Sequence, residues 1–142
     1  MTVIAWDGRT LAADKRGTVA GMAYPVTKLH RVRDGLVAFS GGGAHAAELL
    51  HWFNGERDPA SYPRRGDDDG AGTLYIDLDR RIFMYAAASP FPELIEAPFF
   101  ARGAGRDYAM AAMHLGCDAR RAVEVACAFD IGCGNGIDVM EL

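Results

Sequence analysis

The sequence holds no apolar run near 18 residues and no basic stretch followed by an apolar core. Neither a membrane-spanning helix nor a standard export signal is expected from it. Basic residues never cluster beyond pairs such as Arg64-Arg65 and Arg80-Arg81, and the net charge is -4. A phosphate-tracking surface needs more than that, so no nucleic-acid partner is expected. Cysteine is scarce: Cys117, Cys127 and Cys133 are odd in number and lack zinc-type spacing. Free thiols in the reducing cytoplasm are the economical reading. His30, His45, His51 and His114 are scattered, with no HExxH among them. A GxSxG elbow, a P-loop and a dinucleotide fingerprint are all missing, and no cofactor or metal is expected. There is no internal repeat and no low-complexity segment.

What is present suits one soluble globular domain over residues 1–142, since half the residues are hydrophobic and 24% are charged. Thr2 to Trp6 and Thr10 to Ala13 flank Asp7-Gly8 as a hairpin with apolar residues on both faces. Residues 17–27 are glycine-containing and read as irregular. Lys28 to Arg33 and Leu36 to Ser40 form a second strand pair around Asp34-Gly35, and 73–78 with 81–86 a third. Three helices are expected. The first follows Gly41-Gly42-Gly43 and faces inward through Ala46, Leu49, Leu50 and Phe53. The second buries Tyr108, Ala111, Ala112 and Leu115. The third, capped by Asp118, buries Ala122, Val125, Ala126 and Phe129. Residues 55–72 read as a surface loop, PFPELIEAP as a proline-bounded connection, and 130–142 as short strand material broken by glycines. Strands with two apolar faces and amphipathic helices predict an α+β protein of stacked sheets covered by helices.

Several residues carry candidate chemistry. Thr2 follows the initiator methionine, and a threonine at a free N-terminus has its own α-amino group as a base, with a reference pKa of about 7.7–8.0. That use requires removal of Met1. Otherwise Thr2 is the first residue of an edge strand. Lys28 is either a solvated strand lysine or an ammonium that favours deprotonation of a neighbouring hydroxyl and amine. Asp14 is a turn residue or the partner of that lysine. Gly41, Gly42 and Gly43 offer a turn or an oxyanion hole of backbone N–H groups. In DIGCGNG, Asp130 and Cys133 are three apart, and Cys133 is a buried small residue, a nucleophile or a ligand.

The order of these pieces resembles the β-type proteasome family of N-terminal nucleophile (Ntn) hydrolases, most of all its HslV-type bacterial members and their short relatives. TVIAWDG with TLAADKR is similar to the opening hairpin, and TKLHRV to the strand with the active-site lysine. FSGGGAHAAEL is similar to the oxyanion glycine entering the first helix, ARGAGRDYAMAA to a later glycine turn, and DIGCG to a late D-x-x-S-G. The resemblance implies a four-layer αββα sandwich. It implies Thr2 as nucleophile, Asp14 as the acidic neighbour and Lys28 as the lysine that tunes the amine. It also implies Gly42 as the oxyanion donor, with Gly41 and Gly43 beside it, and Asp130 as a support of Thr2. The activity implied is threonine-type hydrolysis of peptides or unfolded protein in a homo-oligomeric ring, with an ATPase unfoldase as a possible partner. Trimming of Met1 would mature the site. Three departures accompany the match. The opening hairpin is short, Ala104 stands where the family has a serine in the glycine turn, and Cys133 replaces the late serine. They keep open a weakly active or inactive shell subunit, or an amidase that does not act on peptides.

Overall fold

A computed structural model describes residues 1–142. In chain order the strands and helices are β1 (Ile4–Trp6), β2 (Thr10–Asp14), β3 (Arg16–Val19), β4 (Met22–Pro25), β5 (Leu29–Val32), β6 (Gly35–Gly41) and α1 (Gly43–Phe53). These are followed by β7 (Ala71–Asp77), β8 (Ile82–Tyr85), β9 (Glu93–Ile95), β10 (Phe100–Arg102), α2 (Arg106–His114), α3 (Ala119–Phe129) and β11 (Ile137–Glu141). The chain forms two compact units, Met1–Leu29 with Ala97–Leu142, and His30–Glu96.

The first unit is built on the antiparallel sheet β10-β1-β2-β11. Its central hairpin turns at Asp7, whose Oδ1 accepts from the N–H groups of Arg9 and Thr10, and Gly8 takes the left-handed φ of 96°. Asp7 Oδ2 also accepts from Ala119 N–H, tying the turn to the start of α3, while Asp118 caps that helix through Arg121 N–H. Val3 to Trp6 and Leu11 to Ala13 are all buried, as two apolar strand faces require. Over one face lie α2 and α3, and eight of the twelve buried residues in that core are alanine. Short side chains let the helices approach the sheet closely.

That close approach changes which helical residues are inside. α2 buries Ala109, Ala112 and Met113, while Tyr108 and Leu115 are exposed. α3 buries Ala119, Ala122, Val123 and Ala126, with Phe129 outside and stacked on Tyr108. The bulky residues expected inside are displaced because the stripe facing the sheet is made of alanine. Residues 17–27 are likewise not irregular. They form the ribbon β3–β4, closed by Ala20 (φ 48°) and Gly21 (φ 81°), a two-residue turn that matches strand twist. The ribbon is mostly exposed, so no hydrophobic alternation announces it.

The second unit holds the antiparallel sheet β5-β6-β7-β8-β9 and α1. Its core is aromatic: Phe39, Trp52, Phe53, Tyr62, Tyr75 and Tyr85 pack with Val32, Val37, Leu49 and Ala71. Trp52 meets Phe53 and Tyr62 edge-on at about 5 Å, a favoured arrangement of ring quadrupoles. α1 buries His45 and Trp52 in addition to Leu49 and Phe53, and leaves Ala46 and Leu50 half-buried. His45 Nδ1 accepts from Ala71 N–H and Nε2 bonds to the carbonyl of Pro63. The 55–72 segment is thereby fastened down. It contains a 3-10 turn at Pro59–Ser61, and Tyr62 within it is buried, its hydroxyl donating to Ala86 O. The expected connection at 90–98 contributes the edge strand β9, paired to β8 in register Phe83 with Leu94.

Candidate active site

The opening hairpin carries Thr2 and Asp14 to the same end of its two strands. Ile4 pairs with Ala13, and one step further Asp14 N–H donates to Val3 O at 3.2 Å. Even shortening of both arms keeps this register, so the compact turn leaves Thr2 beside Asp14. Lys28 enters from the residue before β5. All three side chains are buried: Thr2 is 5% exposed, Asp14 0% and Lys28 7%.

Their contacts form a continuous chain. Lys28 Nζ donates to Asp14 Oδ1 at 2.8 Å and to Thr2 Oγ1 at 3.0 Å, and it lies 3.4 Å from Met1 O. An ammonium has three N–H donors, and these contacts use all three. The Thr2 hydroxyl donates to Met1 O at 2.8 Å. Asp14 is satisfied on both oxygens: Oδ1 also accepts from Val3 N–H at 3.0 Å, and Oδ2 from Arg16 N–H at 3.2 Å and Gly134 N–H at 3.0 Å. A buried ion pair is tolerable when its remaining lone pairs are filled in this way.

Two glycine turns complete the surroundings of Thr2. Gly105 N–H donates to Thr2 O at 3.1 Å. Gly103 has φ 98°, and a Cβ there would lie 2.2 Å from Thr2 O, so the turn can hold the Thr2 carbonyl only with glycine at that position. Ala104, between them, is exposed and brings no hydroxyl. Asp130 ends α3. Its carboxylate accepts from Gly132 N–H at 2.7 Å and its carbonyl from Cys133 N–H at 3.1 Å, which shapes the 130–134 loop. The Met1 side chain lies against Gly132, where an added Cβ would come within 2.9 Å of it. Asp130 thus reaches the site through its loop, with no hydrogen bond to Thr2. Cys133 is buried, and burial first, then the charges of Asp14 and Asp130, pushes its thiol up to about 12. Its side chain joins Val3 and Ala126 in the alanine-rich core, surroundings that suit a buried small residue.

Gly41 to Gly43 join β6 to α1 in the second unit. Gly42 N–H donates to Gly70 O at 3.0 Å, and a Cβ on Gly42 would lie 2.1 Å from Asp69 O. A Cβ on Gly41, at φ 115°, would lie 2.4 Å from Gly70 O. Close backbone approach therefore accounts for both glycines. Gly43 is the first helical residue, where the helix ladder offers its N–H no partner.

Sequence reasoning missed Arg16, Asn135 and the backbone donors Val3 and Gly134. A main-chain N–H has no residue signature, and Arg16 falls between the strand expected at Thr10 to Ala13 and the irregular stretch expected from residue 17. No group of three or more metal-ligating side chains is present, and no helix is long and apolar enough to cross a membrane.

No protein-family model matches the sequence, and no curated protein does. Solved structures do match over the full length. Thiobacillus denitrificans BPH, in complex with epoxomicin, superposes with a TM-score of 0.76 at 24% identity, covering 100% of this chain and 99% of that one. Eukaryotic HslV from Trypanosoma brucei gives a TM-score of 0.72 at 20% identity, covering 99% and 98%. At this identity the likeness establishes the fold: the chain has the αββα fold of the Ntn hydrolases, as the sequence resemblance implied.

Proposed function

We propose that this chain is a threonine-type hydrolase of peptide bonds, with Thr2 Oγ1 as the nucleophile once Met1 has been removed. The observation that carries the reading is the buried contact of Lys28 Nζ with both Thr2 Oγ1 and Asp14. A hydroxyl is a weak nucleophile near neutral pH, and an ammonium 3.0 Å away stabilises the developing alkoxide. Asp14 fixes the position of that ammonium, and three backbone donors fix Asp14. With Met1 in place the Thr2 nitrogen is an amide and has no basic lone pair, while the hydroxyl proton is engaged by Met1 O.

After removal of Met1, the Thr2 amine accepts the proton of its own hydroxyl as Oγ1 attacks the substrate carbonyl carbon. The carbonyl electrons move to the oxygen, giving a tetrahedral oxyanion. The sequence resemblance assigns the oxyanion role to backbone N–H groups of the Gly41 to Gly43 stretch; Gly42 N–H, the expected donor, bonds Gly70 O in this structure. Collapse breaks the C–N bond, and the α-ammonium returns its proton to the leaving amine. Water, deprotonated by the same amine, then cleaves the ester and restores Thr2.

A peptide or unfolded-protein substrate, a homo-oligomeric ring, a possible ATPase unfoldase partner and a cytoplasmic setting belong to the same proposal, and rest on the sequence resemblance. The alternative is a catalytically silent shell subunit, favoured by Ala104 and Cys133 where the family pattern has serines. Intact mass of natively expressed protein, followed by incubation with a fluorogenic peptide, separates the two. A mass lacking methionine together with turnover that is lost in Thr2→Ala supports the hydrolase. Retained methionine overturns the N-terminal mechanism and leaves the shell.

A further inference from the structure

Arg16 is not in contact with Thr2 or Lys28, yet it makes more of the surrounding loop than any other side chain. Its Nε donates to Asn135 Oδ1 at 2.7 Å, and its Nη1 donates to the carbonyl of Ile131. The guanidinium lies over Gly134 so closely that a Cβ there would meet Nη2 at 2.6 Å. Arg16 thus grips both ends and the middle of the 131–135 segment. From that segment Gly134 N–H reaches Asp14 Oδ2. Arg16 also gives its own backbone N–H to the same oxygen at 3.2 Å.

The segment needs such a grip. It leaves α3 at Asp130, contains three glycines between 131 and 136, and exposes Ile131 almost completely. Apolar burial within it is confined to Cys133, and its other ties are the Asp130 bonds to the Gly132 and Cys133 N–H groups and Lys15 N–H at the Gly134 and Gly136 carbonyls. A planar fork with donors at fixed angles can hold two acceptors and the intervening backbone at once, which a lysine ammonium cannot reproduce.

We propose that Arg16 is a positioning residue for the nucleophile. Through the 131–135 loop it delivers Gly134 N–H to Asp14, Asp14 holds Lys28, and Lys28 addresses Thr2 Oγ1. The inference rests on the threonine-hydrolase reading for its functional end, while its structural end is independent of any activity. Removing the guanidinium frees the loop, takes one donor from Asp14 and lets the Lys28 ammonium drift from the hydroxyl. Misplacement of a reacting group by about 1 Å is enough to slow a reaction on the order of 100-fold.

The experiment uses Met1-free full chain and two readouts. Amide hydrogen exchange at Gly134 reports the loop. Saturation kinetics of covalent labelling by a peptide epoxyketone report the nucleophile. In Arg16→Met, Gly134 exchange should accelerate about tenfold or more, and the maximal labelling rate should fall on the order of 10–100-fold at an unchanged half-saturating concentration. Arg16→Lys should recover only part of each. If Arg16→Met fails to fold, Asn135→Ala, which removes one acceptor of the fork, should shift both readouts in the same direction by less. Unchanged Gly134 exchange in folded Arg16→Met overturns the proposal, as does slower labelling that comes entirely from a higher half-saturating concentration. A wild-type chain that is never labelled overturns the hydrolase reading instead, and exchange at Gly134 then decides the positioning claim alone.

Discussion

The two units each hold a carboxylate, a cation and a hydroxyl, and they arrange them differently. In the first unit Asp14, Lys28 and Thr2 sit beside an alanine-rich core. In the second, Asp34, Arg57 and Tyr75 sit at the edge of an aromatic core. Arg57 bonds Asp34 through both terminal nitrogens, donates Nε to Phe53 O, and lies 5.1 Å from the ring centroids of Phe53 and Tyr75. Tyr75 donates its hydroxyl to Asp34 O at 3.1 Å. Burial raises the Tyr75 phenol above its usual value of 10.0, the opposite of what a nucleophile needs. Arginine has no accessible neutral form, so the second centre braces backbone and rings without a proton to move. The first centre has an ammonium, which sits as a point charge, and an aliphatic hydroxyl on the residue that follows Met1. Composition of a buried polar cluster does not set its role. The choice of cation and the position of the hydroxyl do.

The largest effect that sharpens this contrast is expected from Asp14→Ala. It leaves Lys28 buried without its counter-charge and strips the acceptor from the N–H groups of Val3, Arg16 and Gly134. Loss of about 3–5 kcal/mol in urea unfolding is expected, with labelling of Thr2 abolished. A cost below about 1 kcal/mol would break the comparison, because the pair would then be no more than a surface contact.

Arg57→Met should cost less, about 1–2 kcal/mol, since Asp34 is 42% exposed and solvent screens the pair, leaving mainly the ring contacts. Labelling of Thr2 should be unchanged. A tenfold slower reaction in this variant would show that the second centre is not merely a brace.

The pH dependence of that brace follows from Asp34. Its burial works to raise the carboxyl, but the Arg57 hydrogen bond and charge prevail and hold it below the usual 3.8. A group depressed in the folded state contributes stability above its unfolded pKa of about 3.9 and loses it as pH falls through the folded value. The stability gap between wild type and Asp34→Asn should therefore be constant from about pH 7 to 5 and close below about pH 4. A gap that widens in acid would reverse the assignment. The smallest effect is expected at Thr73, whose buried hydroxyl in β7 has no partner. Thr73→Val should be neutral or stabilising by up to about 1 kcal/mol in thermal unfolding, and a loss above that would reveal a missed partner.

These contrasts also explain what could be read from the sequence. The order of elements, the hairpin turn at Asp7-Gly8 and the cap at Asp118 all carry local chemistry and were legible. So was the grouping of Thr2, Asp14 and Lys28, because strand register and a family-like order place them together. The inward faces of α2 and α3 were legible only in part: Ala112, Ala122 and Ala126 lie against the sheet as expected, but Tyr108, Leu115 and Phe129, taken as core for their size, lie outside while Ala109 and Val123 are within. The β3–β4 ribbon was hidden by its exposure, and β9 by the prolines around it. Arg16 and Gly134 were invisible for a different reason: their part depends on a loop 115 to 120 residues away in sequence.

The central claim is that the Thr2 centre reacts and the Arg57 centre does not. Incubating Met1-free protein with epoxomicin and mapping the adduct by peptide mass tests it most directly. A single adduct on Thr2 is expected, lost in Thr2→Ala, lost or strongly slowed in Lys28→Met, and retained at the wild-type rate in Tyr75→Phe. Absence of any adduct on correctly trimmed, folded protein, or an adduct that survives Thr2→Ala, would contradict it.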